Sequence, residues 1–199
     1  MSSNPIIDAI IERRSIYKFK PEKINQDKID LILEAARWAP SWINTQPWNI
    51  IIVKNKEIKH KLNKLIGTLV GIKVAQYTRI AVEEAPVIFV VTVDIQKDPY
   101  HHIEDGVAAT QNMALAAHSL NLASYWIGVF DITGEAGSIE EQIKKLLSIP
   151  EDHRVVSLLP VGVPNMEPPK KDRKKTSEFV YNDKFGDKLE NKSVNASNC

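Results

Sequence analysis

The chain has 199 residues, 43% of them hydrophobic and 26% charged, the balance of an ordinary globular chain with apolar side chains for one large domain or two small ones. Its 26 Lys and Arg against 25 Asp and Glu leave a net charge of +1, which sets up no whole-chain field toward nucleic acid or an anionic membrane, so any anion site has to be local. A single cysteine, Cys199, excludes an internal disulfide framework and a cysteine metal cage; with no basic-then-apolar leader the chain is expected in the cytoplasm, where the sequons at Asn191 and Asn195 carry no meaning.

In chain order, Asn4 and Pro5 predict the start of a short helix whose Ile6, Ile7, Ile10 and Ile11 keep one face apolar up to Arg13. Asn25 caps a second helix, with Ile24 and Ile29 placed as a hydrophobic staple and Ile29, Ile32, Leu33 and Ala36 at helical spacing, until Pro40 stops it. Aromatic and β-branched residues make Trp48–Val53 a strand, and Ile58, Leu62, Leu65 and Ile66 mark the next helix. After a weakly patterned stretch from Gly67, a helix is expected over residues 73–84 and a buried strand over 87–93. Ile103, Val107, Gln111, Ala114, Ala117 and Leu120 sustain a long central helix rich in small residues, which let another backbone approach closely. Strands at 124–127 and 155–161 flank a helix at Ile139–Leu147. Strands separated by helices place the chain among layered α/β or α+β folds.

Residues 106–130 contain no Asp, Glu, Lys or Arg, a span long enough to cross a bilayer. Thr110, Gln111, Asn112, His118, Ser119 and Asn121 would each need a partner in hydrocarbon, so a buried helix of a soluble domain is expected instead. Beyond Gly162 the composition turns to Pro164, Pro168, Pro169 and the charged run 170–175, which cannot bury a core. The sequence therefore predicts a domain over 1–164, an arm over 165–185 that ends in the apolar Phe179, Val180, Tyr181 and Phe185, and a polar tail without fixed structure over 186–199.

Three constellations bear on chemistry. Arg13-Arg14-Ser15 ends a short helix with two guanidiniums and a hydroxyl that can clamp a phosphate, although adjacent arginines are more often solvated surface. The proline-bounded stretch from Ala39 to Trp48 carries Ser41, Trp42, Asn44 and Gln46, whose amides and ring suit a planar heterocycle; a tight turn with Trp48 in the core explains it equally well. Lys171 and Arg173 sit as alternate cations on the arm, where a solvated tail is the commoner account. His101, His102 and Glu104 lack helical i, i+4 ligand spacing and read as a solvated pair at a helix start. Ser15 and Ser41 have no motif-linked histidine, and no glycine-rich nucleotide cradle is present.

Taken together, in this order, the three constellations resemble the FMN-dependent nitroreductase family from about Ile6 to Phe185. Arg13, Arg14 and Ser15 match its opening tripeptide. Ala39, Pro40, Ser41, Asn44, Gln46, Pro47 and Trp48 match its Ala-Pro-Ser-x-x-Asn-x-Gln-Pro-Trp signature, the more specific of the two. Gln111-Asn112-Met113, Leu120-Asn121-Leu122 and Trp126-Ile127-Gly128 are similar to its central helix and following strand. The resemblance implies an α+β fold with a mixed, mainly antiparallel sheet between helices, and an arm reaching onto a partner. It implies that Arg13, Ser15, Lys171 and Arg173 hold the FMN phosphate, that Ile127 and Gly128 present backbone to the flavin, and that Pro40, Ser41, Trp42, Asn44 and Gln46 meet the flavin from the other subunit of a homodimer. The implied reaction takes hydride from NADH or NADPH to FMN and passes it to an electron-poor acceptor such as a nitroaromatic, a quinone or a flavin. A flavin-binding protein with little turnover, or a specialised member acting on flavin or a halogenated aromatic, is the alternative.

Two positions depart from the family pattern. Most relatives carry Arg or Lys at the flavin's pyrimidine edge where this chain has Tyr17, and a neutral phenol cannot offset the negative charge of reduced flavin, although Arg14 is a substitute within sequence reach. Some relatives have glutamate at the position of Ile127, so no protein general acid is assigned and protons are expected from solvent. A nucleic-acid-binding arm over residues 170–175 lacks aromatic interleaving.

Overall fold

A computed structural model describes residues 4–67, 72–129, 131 and 137–188. The sequons, Cys199 and the tail beyond residue 188 lie outside them. Residues Pro5–Pro168 form one compact unit, and the arm over 169–188 belongs to a second.

The main unit runs α1 (Pro5–Glu12), α2 (Gln26–Arg37), β1 (Trp48–Val53), α3 (Lys56–Ile66), α4 (Ile72–Glu84), β2 (Val87–Asp94), α5 (His102–Ser119), β3 (Ala123–Ser124), β4 (Ile127–Gly128), α6 (Ile139–Leu147) and β5 (His153–Gly162). The sheet order is β1-β2-β5-β3, with β4 also on β5. Every strand pair is antiparallel, so the expected mixed character shrinks to one isolated parallel bridge between Ser15 and Ser124. The expected strand over 124–127 is two short strands, because Pro160 of β5 has no N–H to return; Tyr125 N still donates to Pro160 O at 3.1 Å, in the one register that runs from Ser124–Val161 to Ile127–Leu158.

β2 is buried on both faces, as its unbroken apolar run predicts. Ile88 and Val90 face a cluster with Leu62 and Ile66 of α3, Ala81 and Val82 of α4 and Ile143 of α6. Val87, Phe89, Val91 and Val93 face Ile29 and Ile32 of α2 and Ala109 and Met113 of α5. The sheet is thus a middle layer, with α2 and α5 on one side and α3, α4 and α6 on the other. Small residues do bring α5 close: a Cβ added at Gly106 would stand 2.6 Å from Val156 Cγ2 and 2.8 Å from Val93 Cγ1.

The polar residues of the uncharged stretch are paired inside the fold. Thr110 Oγ1 donates to Gly106 O at 2.7 Å and lies 2.9 Å from Ser157 Oγ; Asn112 Nδ2 donates to Ala35 O at 3.0 Å. Among the described residues no helix is long and apolar enough to cross a membrane. Asn25 stands at the N-cap of α2 but makes no side-chain cap bond, whereas Asn55, unremarked in the sequence, caps α3 by accepting from Glu57 N and Ile58 N.

Candidate functional site

The basic tripeptide leaves α1 directly, with Arg13 N still donating to Ala9 O at 3.1 Å. Arg14 Nη1 donates to the carbonyl of Ile11 and, at 2.9 Å, to that of Arg13, so its guanidinium caps the C-terminal carbonyls of the helix. That gives Arg14 a local role at the end of α1 beside the cavity it lines. Ser15 is exposed, and Ile16 N donates to Ser124 O at 3.0 Å, which lays the segment along β3. Arg13 and Arg14 line a cavity of about 670 Å³ with Glu12, His118, Ser124 and Met166. A cavity of this size suits a small ligand.

The second motif forms a strained turn. Trp42–Asn44 makes a single 3-10 turn, and Ile43 (φ 39°), Asn44 (φ 62°) and Gln46 (φ 48°) all sit in the left-handed region, where a β-branched residue such as Ile43 is an outlier. Such residues cost of order 1–3 kcal/mol each and persist only where neighbours hold them. Here Ser41 Oγ accepts from Gln46 N at 3.0 Å, and the Asp105 carboxyl accepts from Trp42 N, 3.2 Å from each oxygen, and from Thr45 Oγ1 at 3.4 Å. The Trp42 ring meets Tyr100 edge-on at 5.4 Å and tilts over His101 at 5.8 Å. Trp42, Asn44 and Gln46 remain exposed, as does Pro40, while Ser41 is half-buried. Trp48, by contrast, packs on the core beneath α2 and α5.

Asp105 lies in the first turn of α5 and His118 in its last, a separation of about 20 Å at 1.5 Å per residue. The turn is anchored at one end of that helix and the cavity of Arg13 and Arg14 lies at the other, and none of Pro40, Ser41, Trp42, Asn44 or Gln46 lines that cavity. One chain therefore does not bring the two motifs into one pocket.

Ile127 is buried and pairs with Leu158; Gly128 is exposed, pairs with Ser157, and has nothing within 4 Å of where a Cβ would stand. That open backbone leaves room for a flat ring. Tyr17 is half-buried with Tyr77 at 4.5 Å and Tyr125 edge-on at 6.2 Å. In the arm, Lys171 and Arg173 are exposed, and Arg173 Nη1 donates to the carbonyls of Asp172 at 3.1 Å and Lys171 at 3.3 Å.

Two residues beneath the Trp42 turn escaped the sequence reading. Asp98 is fully buried, and its Oδ1 accepts from Tyr100 N and His101 N, both at 2.9 Å. Its side chain also lies within hydrogen-bonding reach of the Asp105 carboxyl. Burial pushes the Asp105 carboxyl above its ordinary range and the Asp98 charge adds to that, against the pull of Trp42 N–H. Burial acts the same way on Asp98, but bonds from His101, Tyr100 and Asp105 outweigh it and hold that carboxyl low. Asp98 before Pro99 is a turn signal, and Asp105 shares helical spacing with the buried Ala109 and Met113; together they could have marked the pair.

The model of the Nitroreductase family matches residues 10–163 of the chain. This protein belongs to the nitroreductase family. It is 34% identical over 176 residues to a Methanothermobacter thermautotrophicus protein that carries a provisional name, NADH dehydrogenase/NAD(P)H nitroreductase, with 86% of this chain and 84% of that one aligned. Rat iodotyrosine deiodinase 1 is 25% identical over 188 residues, and the alignment covers 83% of this family member and 64% of the deiodinase. Among solved structures, an FMN-dependent nitroreductase of Clostridium difficile superposes with a TM-score of 0.77 at 28% identity, covering 90% of this chain and 99% of that one. A Desulfovibrio desulfuricans nitroreductase-like protein in complex with FMN gives 0.74 at 28% identity, covering 92% and 99%.

Proposed function

We propose that this nitroreductase-family protein binds FMN in two composite sites of a homodimer and carries electrons from NADH or NADPH to an electron-poor acceptor. The observation that carries this reading is the placement of the two motifs at opposite ends of α5, so that a shared ligand needs one motif from each of two copies. The surface supports a second copy. Ile6, Ile7, Ile10 and Ile11 of α1 are all exposed in the single chain, as are Leu31 of α2 and Val107 of α5, apolar side chains that a second copy could cover.

The residues present fit the cofactor. Arg13 and Ser15, with Lys171 and Arg173 of an arm, supply cations and a hydroxyl for the phosphate. The open backbone at Gly128, with that of Ile127, receives the flavin ring, and Pro40, Ser41, Trp42, Asn44 and Gln46 of the second copy close over it. Bound FMN would accept hydride from a nicotinamide and deliver it to the acceptor. The chain's own part is to bind, orient and tune. Tyr17 places a neutral phenol where a cation would favour the reduced anion, and the buried aliphatic Ile127 offers no proton. The acceptor class is a nitroaromatic, a quinone or a free flavin, all recognised by stacking on an open ring.

The purified protein is expected to be yellow with FMN and to bleach under anaerobic NADH or NADPH, and the reduced form to be reoxidised by one of these acceptors. A protein that holds FMN but resists both nicotinamides is a binder rather than an enzyme. One that ignores added FMN ends the reading.

A further inference from the structure

We propose that Asp98 and Asp105 are a positioning pair that shares one proton and thereby holds the Trp42 turn in its left-handed form, so that the turn loosens its grip on FMN when that proton is lost. The proposal rests on the reading of the Trp42 turn as one wall of the flavin site.

Both carboxyls are buried, 0% and 5% exposed, and among the described residues no lysine or arginine bonds to either; the groups that meet them are backbone N–H, one hydroxyl and each other. Asp98 Oδ2 is enclosed and receives no N–H or hydroxyl from the described residues. Two ionised carboxylates in contact under such cover repel strongly, so the stable arrangement is one carboxylate and one carboxylic acid, with the acid proton between them. The backbone decides which side keeps the charge. Asp98 is fixed by two short bonds from Tyr100 N and His101 N, whereas Asp105 receives longer bonds from Trp42 N and the Thr45 hydroxyl. Asp105 is therefore the acid, donating to Asp98 and accepting from Trp42.

The charged and titratable neighbours are few. The turn before α5 contributes Asp98, Tyr100 and His101, and the start of α5 contributes His102, whose Nδ1 lies 2.9 Å from Asp98 O, and Glu104, whose carboxylate lies 3.6 Å from His101 Nδ1; the turn from Ser41 to Gln46 contributes none. The sign follows from the assignment. Asp105 titrates above its ordinary value in the folded protein, so its contribution to the turn is complete at low pH and is lost as pH rises through that value. Ionised Asp105 is then pushed off the fixed Asp98, and it carries the acceptor of Trp42 N with it. Ile43, Asn44 and Gln46, held in the left-handed region, are free to relax.

The test uses the FMN-free protein, whose Trp42 emission is isolated as the difference from Trp42→Phe, in a His101→Gln background that removes the imidazole beside the indole. We expect one transition in Trp42 emission as pH rises, absent in Asp105→Asn, whose amide donates to Asp98 and accepts from Trp42 at every pH. In Asp98→Asn, where the repelling charge is gone, the transition moves to lower pH. FMN affinity of the unsubstituted protein falls by roughly tenfold across the same interval, the scale of one bond to a charged group, and that of Asp105→Asn stays level. A flat Trp42 signal, or a transition that survives in Asp105→Asn, overturns the shared proton. A transition at Trp42 with level FMN affinity leaves the pair and overturns instead the placement of the turn against the flavin.

Discussion

Ser15 and Ser124 lie side by side in a parallel bridge, with Ile16 donating its N–H to the Ser124 carbonyl at 3.0 Å. Ser124 is itself paired to Val161 of β5, so the basic tripeptide at the end of α1 is keyed to the central sheet rather than left on a mobile terminus. A phosphate clamp needs that rigidity, because each charge-assisted bond depends on a fixed donor. Arg13→Ala is expected to weaken FMN binding by roughly tenfold or more, and Arg13→Ala with Arg173→Ala by roughly a hundredfold or more, at about 1.5–3 kcal/mol per bond. Fluorescence titration of FMN into each variant measures this, and unchanged affinity in the double variant removes these arginines from the site.

Gly106 in α5 and Gly128 in β4 predict opposite behaviour. Gly106→Ala, which in an exposed helix would stabilise by about 1 kcal/mol, drives a methyl against Val156 and Val93 and should destabilise by about 1–3 kcal/mol instead. Gly128→Ala meets nothing within 4 Å, so urea unfolding should match the parent, while FMN affinity drops if the proposed site places the flavin ring against this backbone. Equal stability loss in both variants contradicts this division.

Glu140 ties α6 to β5 through a two-pronged ion pair: Arg154 Nε at 2.8 Å and Nη2 at 2.9 Å, with Val155 N and Asp131 N donating to the same carboxylate at 2.8 and 2.9 Å. The glutamate side chain is 5% exposed, so Glu140→Ala takes the carboxylate from two N–H groups and from a guanidinium that keeps the Asp131 carbonyl, and should cost about 3 kcal/mol. Glu34→Ala on the solvent face of α2, where among the described residues the carboxylate meets Arg37 and the Trp38 indole, should leave the melting temperature unchanged. Calorimetry of the two variants side by side tests the contrast.

Tyr17 is packed as well as placed. Tyr17→Arg gives up its contacts with Tyr77 and Tyr125, worth about 0.5–1.5 kcal/mol each, and the melting temperature should fall by several degrees at roughly 2–4 °C per kcal/mol. The same change should raise the reduction potential of bound FMN, because the new cation favours the reduced anion, with little effect on affinity for oxidised FMN. Potentiometric titration decides: a lower melting temperature with an unmoved potential takes Tyr17 away from the flavin edge.

Elements with a strong period were legible in the sequence. The helix of residues 139–147 and the strand of 48–53 have the predicted bounds, and the strand over 87–93 gains only Asp94. Local rules failed where tertiary pairing decides. Nothing in the order Ser124-Tyr125-Trp126-Ile127 announces a break in the ladder, because the break comes from Pro160 of β5, which accepts from Tyr125 N but has no N–H to return. The motif residues were visible, and the resemblance already divided them between two chains; the residues themselves did not show why, since the length of α5 separates the motifs only once both are docked against its two ends. Asp98 and Asp105 were passed over because each is unremarkable alone and the chemistry comes from their contact.

The central claim is that each FMN is held by one motif from each of two chains. It is tested most directly by pairing two crippled chains, Arg13→Ala and Trp42→Ala with Asn44→Ala, each carrying a different affinity tag so that the mixed dimer can be purified and its FMN counted by absorbance. The account predicts that each parental dimer is pale and that the mixed dimer regains one FMN per dimer, because one of its two sites is assembled entirely from intact halves. A mixed dimer as empty as its parents, or an unsubstituted protein that binds FMN fully as a monomer, contradicts it.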